Sequence, residues 1–520
     1  MQAHYLALPA YVALLAGGAL ARATEPSQTV VVTATRMEES IFDLPVAIDA
    51  VSGEALREHR LRVNISEVLG RVPGLNVNKR YNYAQDLQVS SRGFGARASF
   101  GVRGVRLLQD GIPLTMPDGQ GQTGLFDLDA AEKIEVLRGP FAALYGNSSG
   151  GVIQLITPSA REPMVELNTT AAEHGTRRYG AQLATRAGAF DLYGNLSRFE
   201  TDGFRAHSAA RRDVANVKLG FARDDGSSLT LIANVLDQPD TQDPIGLSQE
   251  ELDADPDQVA DIAIELNTRK SIRHVQGGLA YEEKFSDRNR LRAIGYFGDR
   301  DLTQFLSNPS TALTGSGGVV DLARKFGGAG LQWGHSGDVR GLPYQLAIGA
   351  EYDRMKEHRR GFVNVAGTRG ELRRDEDDTV YSLNQYAIAE WQFSPRWKVA
   401  GGVRHSDVRF RVADDFIAES NPDDSGKRSF ASTHPVVGLQ LSVTPALKLF
   451  ASGGRAFETP TFAELAYRPD GSPGPNFALE ASDSQNFEGG AKLLFNDRAR
   501  LTATLFRSRN VWDTIGQSRA

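Results

Sequence analysis

The chain has 520 residues, and its 58 Lys and Arg against 64 Asp and Glu leave a formal charge of −6, with no basic footprint for nucleic acid. It contains no cysteine, which excludes a disulfide framework, a thiolate metal site and a cysteine nucleophile. Beyond Ala23 no apolar run reaches ~18 residues, so crossing a membrane with helices is excluded, whereas crossing with alternating strands is not.

Residues 1–23, "MQAHYLALPAYVALLAGGALARA", read as a secretory signal, with an apolar core from Tyr5 to Ala21 and a small-x-small cleavage site at Ala21-Arg22-Ala23. No Lys or Arg precedes Arg22, and a buried N-terminal helix is the alternative. Residues 24–40 follow, and within them "TVVVTATR" (29–36) has strand composition but no hairpin partner beside it in sequence. An unpaired strand templates association. This one is expected either to pair with another chain or to be a disordered leader.

From 41 to 158 the chain reads as a compact mixed α/β unit. "SGEALREHR" and "NISEVLGRV" are short helices opened by Ser52 and Asn64 as N-caps. "GLNVN", "LQVSSR", "VRLLQDGIPL", "KIEVLRG" and "GVIQLIT" are short strands, several closed by Gly or Pro. Motifs that look catalytic fail on context. Gly93-Phe-Gly95-Ala-Arg-Ala98 resembles a dinucleotide loop but runs into loop and strand rather than a helix. Gly146-Asn-Ser148-Ser-Gly150 resembles a nucleophile elbow, yet the strand "GVIQLIT" follows it. Further on, Asp253, Asp255 and Asp257 space like a calcium loop, but Gln258 and Ile264 stand where Gly and Glu are required. Nine histidines lie without metal spacing. No catalytic residue, metal site or cofactor is expected, and the chain is not read as an enzyme.

From 159 to 520 the grammar changes to strand, tight polar turn, strand. In "FDLYGNLSR", Phe190, Leu192 and Leu196 fall on one face, while Asp191, Asn195 and Ser197 fall on the other. Segments such as "AIAEWQFSPRWKVAGGV" and "VVGLQLSVTPALKLFASGG" repeat the scheme, and Trp391, Phe393 and Trp397 bracket one turn as an interfacial girdle would. Long polar connections, 237–267 and 421–430, alternate with the short turns. The pattern suits an outer-membrane barrel. A soluble sandwich or propeller remains the alternative, because alternation does not distinguish lipid from core.

Together these residues resemble a TonB-dependent outer-membrane receptor. "ISEVLGRVPGLNV" (65–77), "SSRGFGARASFGVRGVRLLQDGIPLTMPDG" (90–119) and "IEVLRGPFAALYGNSSGGVIQLIT" (134–157) look like the family's plug, and "FETPTFAEL" (457–465) and "NFEGGAK" (486–492) like its barrel motifs. "NYAQDLQVSSRGFG" with "GIPLTMPDGQGQT" is closer still to the enterobacterial YncD-like group, whose ligand is poorly defined. The resemblance implies an α+β plug inside an antiparallel transmembrane β-barrel in the bacterial outer membrane. It also implies a monomer set in lipid and lipopolysaccharide, which imports a ferric siderophore or similar iron chelate when TonB and its energising complex pull. Thr29, Val30, Val31, Val32, Thr33 and Ala34 then resemble a TonB box, recruited by strand addition. Only a few residues separate it from the predicted cleavage site, which favours transport over signalling.

The resemblance also implies a latch in which the plug arginines Arg92 and Arg138 dock on Glu488 of the barrel. The alternative is that these arginines tie plug loops together. Ligand contacts are expected at the plug apex, from Tyr81, Tyr83, Arg97, Arg103, Met116, Asp118, Gln120 and Gln122, with the guanidinium groups suited to an anionic chelate. About 15 strands are legible between Met164 and Asn510, whereas plugged outer-membrane transporters have 22, and ~15 strands would enclose only about half that lumen. The sequence is therefore expected to be a truncated or fragmentary receptor with an incomplete, C-shaped barrel. A passive porin, an adhesin-like barrel and a non-functional remnant are the alternative functions.

Overall fold

The structure, a computed structural model, describes residues 31–32, 39–57, 60–78, 81–98, 101–160, 162–309, 311, 317–419, 421–468, 474–496 and 499–510. The signal-peptide reading and Thr29, Val30, Thr33 and Ala34 lie outside the described residues. Strand β1 (Val31–Val32) pairs antiparallel with β2 (Glu39–Ser40), Val31 opposite Ser40 and Val32 opposite Glu39. The expectation that this segment has no partner in its own chain is thereby corrected. Two residue pairs are nevertheless far too few for independent stability.

The mixed unit is built on a five-stranded sheet. Its strands are β3 (Ile48–Ser52), β6 (Val105–Gln109), β7 (Ile112–Pro113), β8 (Lys133–Arg138) and β9 (Gly151–Ile156), in the order β3-β8-β9-β6-β7. β6 and β9 run parallel and the other pairs antiparallel. β4 (Leu75–Val77) and β5 (Val89–Ser91) form a separate ladder. Helices α1 (Gly53–Arg57) and α2 (Ser66–Leu69) cover a core that includes Leu56, Leu69, Val89, Leu107, Ile134 and Ile153. Asn64 does not cap α2 with its side chain as expected. Glu67 instead reaches back, accepting from the backbone N–H of Val63 at 2.7 Å and of Asn64 at 2.9 Å. The Asn64 side chain is left to accept from Arg212 at 3.2 Å. The first-turn carboxylate thus ties down the backbone donors just ahead of the helix and places its charge at the helix N-terminus.

From Met164 to Asn510, fifteen strands follow in one sheet, each antiparallel to the next, in the number legible from sequence. Strand Met164–Ala171 pairs only with Arg177–Ala187, and Ala499–Asn510 only with Ser482–Asn496, so among the described residues the sheet does not close on itself. Short turns such as 188–189, 287–288 and 340–341 gather at one end, and long connections at 243–268, 415–425 and 459–481 at the other. Strands also run on into expected loops. Ser228–Gln242 continues past Asp237 over a register shift at Gln238/Thr241, and Leu342–Val365 reaches 24 residues, well beyond the ~10 that cross a bilayer.

Burial along these strands is inverted relative to a soluble core. In Phe190–Thr201 the buried side chains include Asn195, while Phe190 and Leu196 are exposed. In Arg269–Ser286, His274 and Gln276 are buried and Val275 and Leu279 exposed; in Ser482–Asn496, Ser484, Asn486, Glu488 and Lys492 are buried and Phe487 exposed. A sandwich or propeller would turn its apolar face inward. An outward apolar band over a polar interior is the membrane-barrel arrangement, and Trp391, Phe393 and Trp397 are exposed beside it as a girdle requires.

Gly95 shows how tightly the plug loops pack. It sits at φ +79, with the carbonyl oxygens of Val89 and Arg103 crowding the position a Cβ would take. Gly95→Val is expected to destabilise the plug by about 2 kcal/mol or more, read as earlier cleavage of residues 41–158 in limited proteolysis while the barrel strands stay protected.

Candidate functional site at the plug–wall interface

The plug meets the wall through buried polar contacts, and the tightest set surrounds Glu488. Arg92 follows β5 in a left-handed conformation (φ +52), held by its N–H donating to the Gly74 carbonyl at 2.8 Å. Its guanidinium donates to Glu488 Oε2 at 2.8 Å, with both side chains almost fully shielded, and lies 4.4 Å from the Phe506 ring centroid. Glu488 Oε1 accepts from the Ala47 N–H and from the Ser452 hydroxyl, each at 3.1 Å. Arg92 of the plug and Glu488 of the wall therefore meet in a shielded ion pair.

Arg138 does not. It bonds Asp49 and the Pro73 carbonyl, because β8 lies beside β3 and brings Asp49 closer than any wall carboxylate. Burial lowers the pKa of its guanidinium, with Asp49 opposing. The latch role of Arg138 is corrected: it ties plug elements together.

Two wall lysines that sequence reasoning missed complete this side. Lys492 donates to the carbonyls of Ile41 at 2.7 Å and Leu44 at 2.5 Å. Lys448 pairs with Asp43 and sits 4.7 Å from the Phe42 ring centroid. They grip the single 3₁₀ turn Ile41–Asp43 directly after β2. Glu488 and Lys492 are four apart on one strand and so share its inner face, which is the signal that could have found Lys492.

Most of the expected apex residues face the wall. Arg103 donates to Glu464 at 3.0 Å and to the Thr459 carbonyl at 2.9 Å; burial works against its charge, but Glu464 and Glu458 hold its pKa above the ordinary value. Asp118 accepts from the N–H of Gln120 at 3.1 Å and of Phe462 at 3.4 Å, and burial raises its pKa in spite of Arg324. Gln120 accepts from Arg324 at 2.8 Å and Gln122 from Arg300 at 2.9 Å. Met116 lies in an apolar cluster with Phe410, Phe457 and Phe462. Tyr83 packs 4.8 Å from Phe199, and burial pushes its hydroxyl pKa up to about 12. Tyr81 and Arg97 are exposed, Tyr81 edge-on to Phe204 of the 202–209 connection at 6.4 Å.

A second cluster was missed as well. Arg359 and Arg374 flank Tyr467, 5.9 and 5.7 Å from its ring centroid, and Arg374 pairs with Glu376 at 3.0 Å. The charge-dense runs "KEHRRGF" and "LRRDEDD" on facing strands mark it in the sequence. Ser148, in the nucleophile-elbow lookalike, is buried and donates to the Gly151 carbonyl at 2.6 Å, and β9 follows it.

A family model described as "TonB-dependent Receptor Plug Domain" matches residues 40–152, and one described as "TonB dependent receptor-like, beta-barrel" matches residues 193–516. The chain belongs to the TonB-dependent receptor family. Receptors of this family are outer-membrane barrels that bind small ligands and work with TonB. Among curated relatives, the vitamin B12 transporter BtuB of Photobacterium profundum is 25% identical over 471 residues, covering 89% of this chain and 66% of its own. The ferrienterobactin receptor of Escherichia coli K12 is 27% identical over 240 residues, covering 39% and 31% respectively. The chain thus spans less than two thirds of the length of these relatives, which are transporters and receptors rather than enzymes. Among solved structures, the unliganded ferric citrate transporter FecA matches with a TM-score of 0.71 at 18% identity, over 90% of this chain and 74% of its own. The ferric-catecholate import receptor Fiu of E. coli K12, in its open form, matches with a TM-score of 0.71 at 15% identity, over 92% and 77%. At such identities the likeness is one of fold.

Removing one partner of a shielded ion pair leaves the other charge uncompensated. Glu488→Ala is expected to cost the plug–wall contact about 3 kcal/mol, and Arg92→Met combined with Glu488→Gln distinctly less, measured as urea midpoints for loss of plug protection against protease.

Proposed function

We propose that this chain carries out TonB-driven import of a scarce ligand across the outer membrane, with a ferric siderophore or similar iron chelate as the first ligand class. The observation that carries the reading is how the plug is tied into the lumen. Wall strands from one end of the sheet to the other bond it: Arg178 to Asp127 and Asp129, Lys270 to Asp86, Arg324 to Gln120, Arg404 to the Leu144 carbonyl and Glu488 to Arg92. A passive porin needs a free lumen, whereas an energised receptor needs a plug that is fixed at rest. Export by a signal at 1–23, a plug over 41–158, a monomer in lipid and lipopolysaccharide, and kinship with the YncD-like group belong to the same proposal.

The segment 29–36 is the proposed TonB box. It enters the plug just ahead of the turn held by Lys448 and Lys492, so tension there would reach plug and wall together. For the ligand, Tyr81 and Arg97 are the exposed members of the apical set, and Arg359 and Arg374 add guanidinium groups able to meet carboxylate or catecholate oxygens. The named relatives take vitamin B12 and ferric enterobactin, which supports a bulky chelate as cargo.

Deleting Thr29–Ala34 is the test. In cells given radio-iron as citrate or catecholate complexes, the deletion should abolish uptake while surface binding persists. Uptake that continues at the parental rate would instead fit a passive porin and reject the energised reading.

A further inference from the structure

A seam of cavity between the plug sheet and the wall remains outside the contacts described above. At the short-turn end of the sheet a cavity of about 400 Å³ is lined by Asp110, Lys218, Arg290 and His335 among others. A tighter pocket continues from it, bordered by Arg106, Tyr145, Tyr296 and Glu351. Gln154, Arg292 and Gln332 line both spaces, so the two join there. Arg106 comes from β6 of the plug and Arg292 from wall strand Asn289–Phe305. The tip of Arg292 lies over the β6–β7 turn, 2.7 Å from the position a Cβ on Gly111 would take.

Charges elsewhere along the seam are matched. Asp110 lies 3.5 Å from Lys218 and accepts from Thr157, and Arg290 lies 3.6 Å from Glu282. Glu351 pairs with Arg404 at 2.9 Å, and Asp353 accepts from Tyr296 at 2.5 Å and Ser382 at 3.3 Å. Arg106 and Arg292 are different. Neither makes a hydrogen bond or ion pair among the described residues, and Nε of Arg106 is fully shielded. Buried donors are ordinarily satisfied, and a planar guanidinium matches a carboxylate with two parallel bonds. Two such groups without acceptors, facing one pocket from opposite bodies, form a fork for an anion with more than one carboxylate.

We propose that this seam is an anion site separate from the mouth, where Arg106 of the plug and Arg292 of the wall hold a small di- or tricarboxylate between them. Because one arm belongs to each body, a bound anion bridges the β6–β7 hairpin to the wall. Displacement of the plug would part the arms and free the anion at the end of the barrel with the short turns. The site itself stands whether or not the uptake reading holds.

The test is calorimetric titration of the full chain in detergent micelles with glutarate, and with butyrate as its single-carboxylate counterpart. Glutarate should bind one per chain, at least about tenfold tighter than butyrate, since only it can use both forks. Arg106→Gln and Arg292→Gln should each lose about tenfold or more, Arg292→Lys should keep part of the affinity, and Arg198→Gln, outside the seam, should change nothing. Plug protease resistance establishes that each variant is folded. Absence of glutarate binding, equal binding of butyrate, or undiminished binding by both glutamine variants would overturn the site. Deleting Thr29–Ala34 should leave glutarate binding intact, so a failure of uptake and a failure of this site are read separately.

Discussion

A strand that crosses a bilayer must close its backbone hydrogen bonds on its neighbours and show apolar side chains to lipid. Since side chains alternate, every second residue is then turned inward, and here those positions carry Asn195, Asn216, Asn234, Gln276, Arg300, Arg324, Arg404 and Glu488. A lumen lined in this way holds the plug through hydrogen bonds and ion pairs, alongside apolar contacts such as Met116 with Phe410, Phe457 and Phe462. Desolvation offsets much of the gain from each such contact, while geometry makes each one exacting about position. The result is a domain positioned by polar contacts whose individual net contribution is modest.

The plug itself is conventional in its energetics. Leu56, Leu69, Leu107, Ile134 and Ile153 form an apolar core, against which the wall residues Val214, Leu236 and Ile272 also pack. A further apolar contact crosses the boundary where the 3₁₀ segment Pro140–Tyr145 sets Phe141 and Leu144 against Ala347, Ile388, Ala400 and Val436. Small residues accommodate it: Gly438 leaves room for the Phe141 ring, which stands 3.0 Å from the position its Cβ would occupy.

The strands and their number were legible because alternation and turn chemistry are local. Which face turns inward was not, since Phe190 and Asn195 alternate in the same way in either case, and exposure had to be observed. Arg92 with Glu488 was legible only through resemblance, whereas Lys492 was available from its spacing to Glu488. The burial of Met116, Asp118 and Gln120 could not be read locally. It depends on Phe462 and Arg324, more than two hundred residues downstream, lying against the apex. The partner of β1 was hidden for the opposite reason: Glu39-Ser40 has no strand composition, and a two-residue ladder needs none.

The order of contacts along the N-terminal segment bears on how such a plug could be released. After β2 the chain meets Lys448 at Asp43, Lys492 at the carbonyls of Ile41 and Leu44, and then Glu488 at the Ala47 N–H. Only beyond these, through the far oxygen of the same carboxylate, does the linkage reach Arg92. A pull from the N-terminal side therefore loads the lysine grip first. Losing the Ala47 contact would remove one of three donors from Glu488 and leave its ion pair with Arg92 in place. Strain entering from that side would have to pass the grip, then Ala47, before it acted on the Arg92–Glu488 pair.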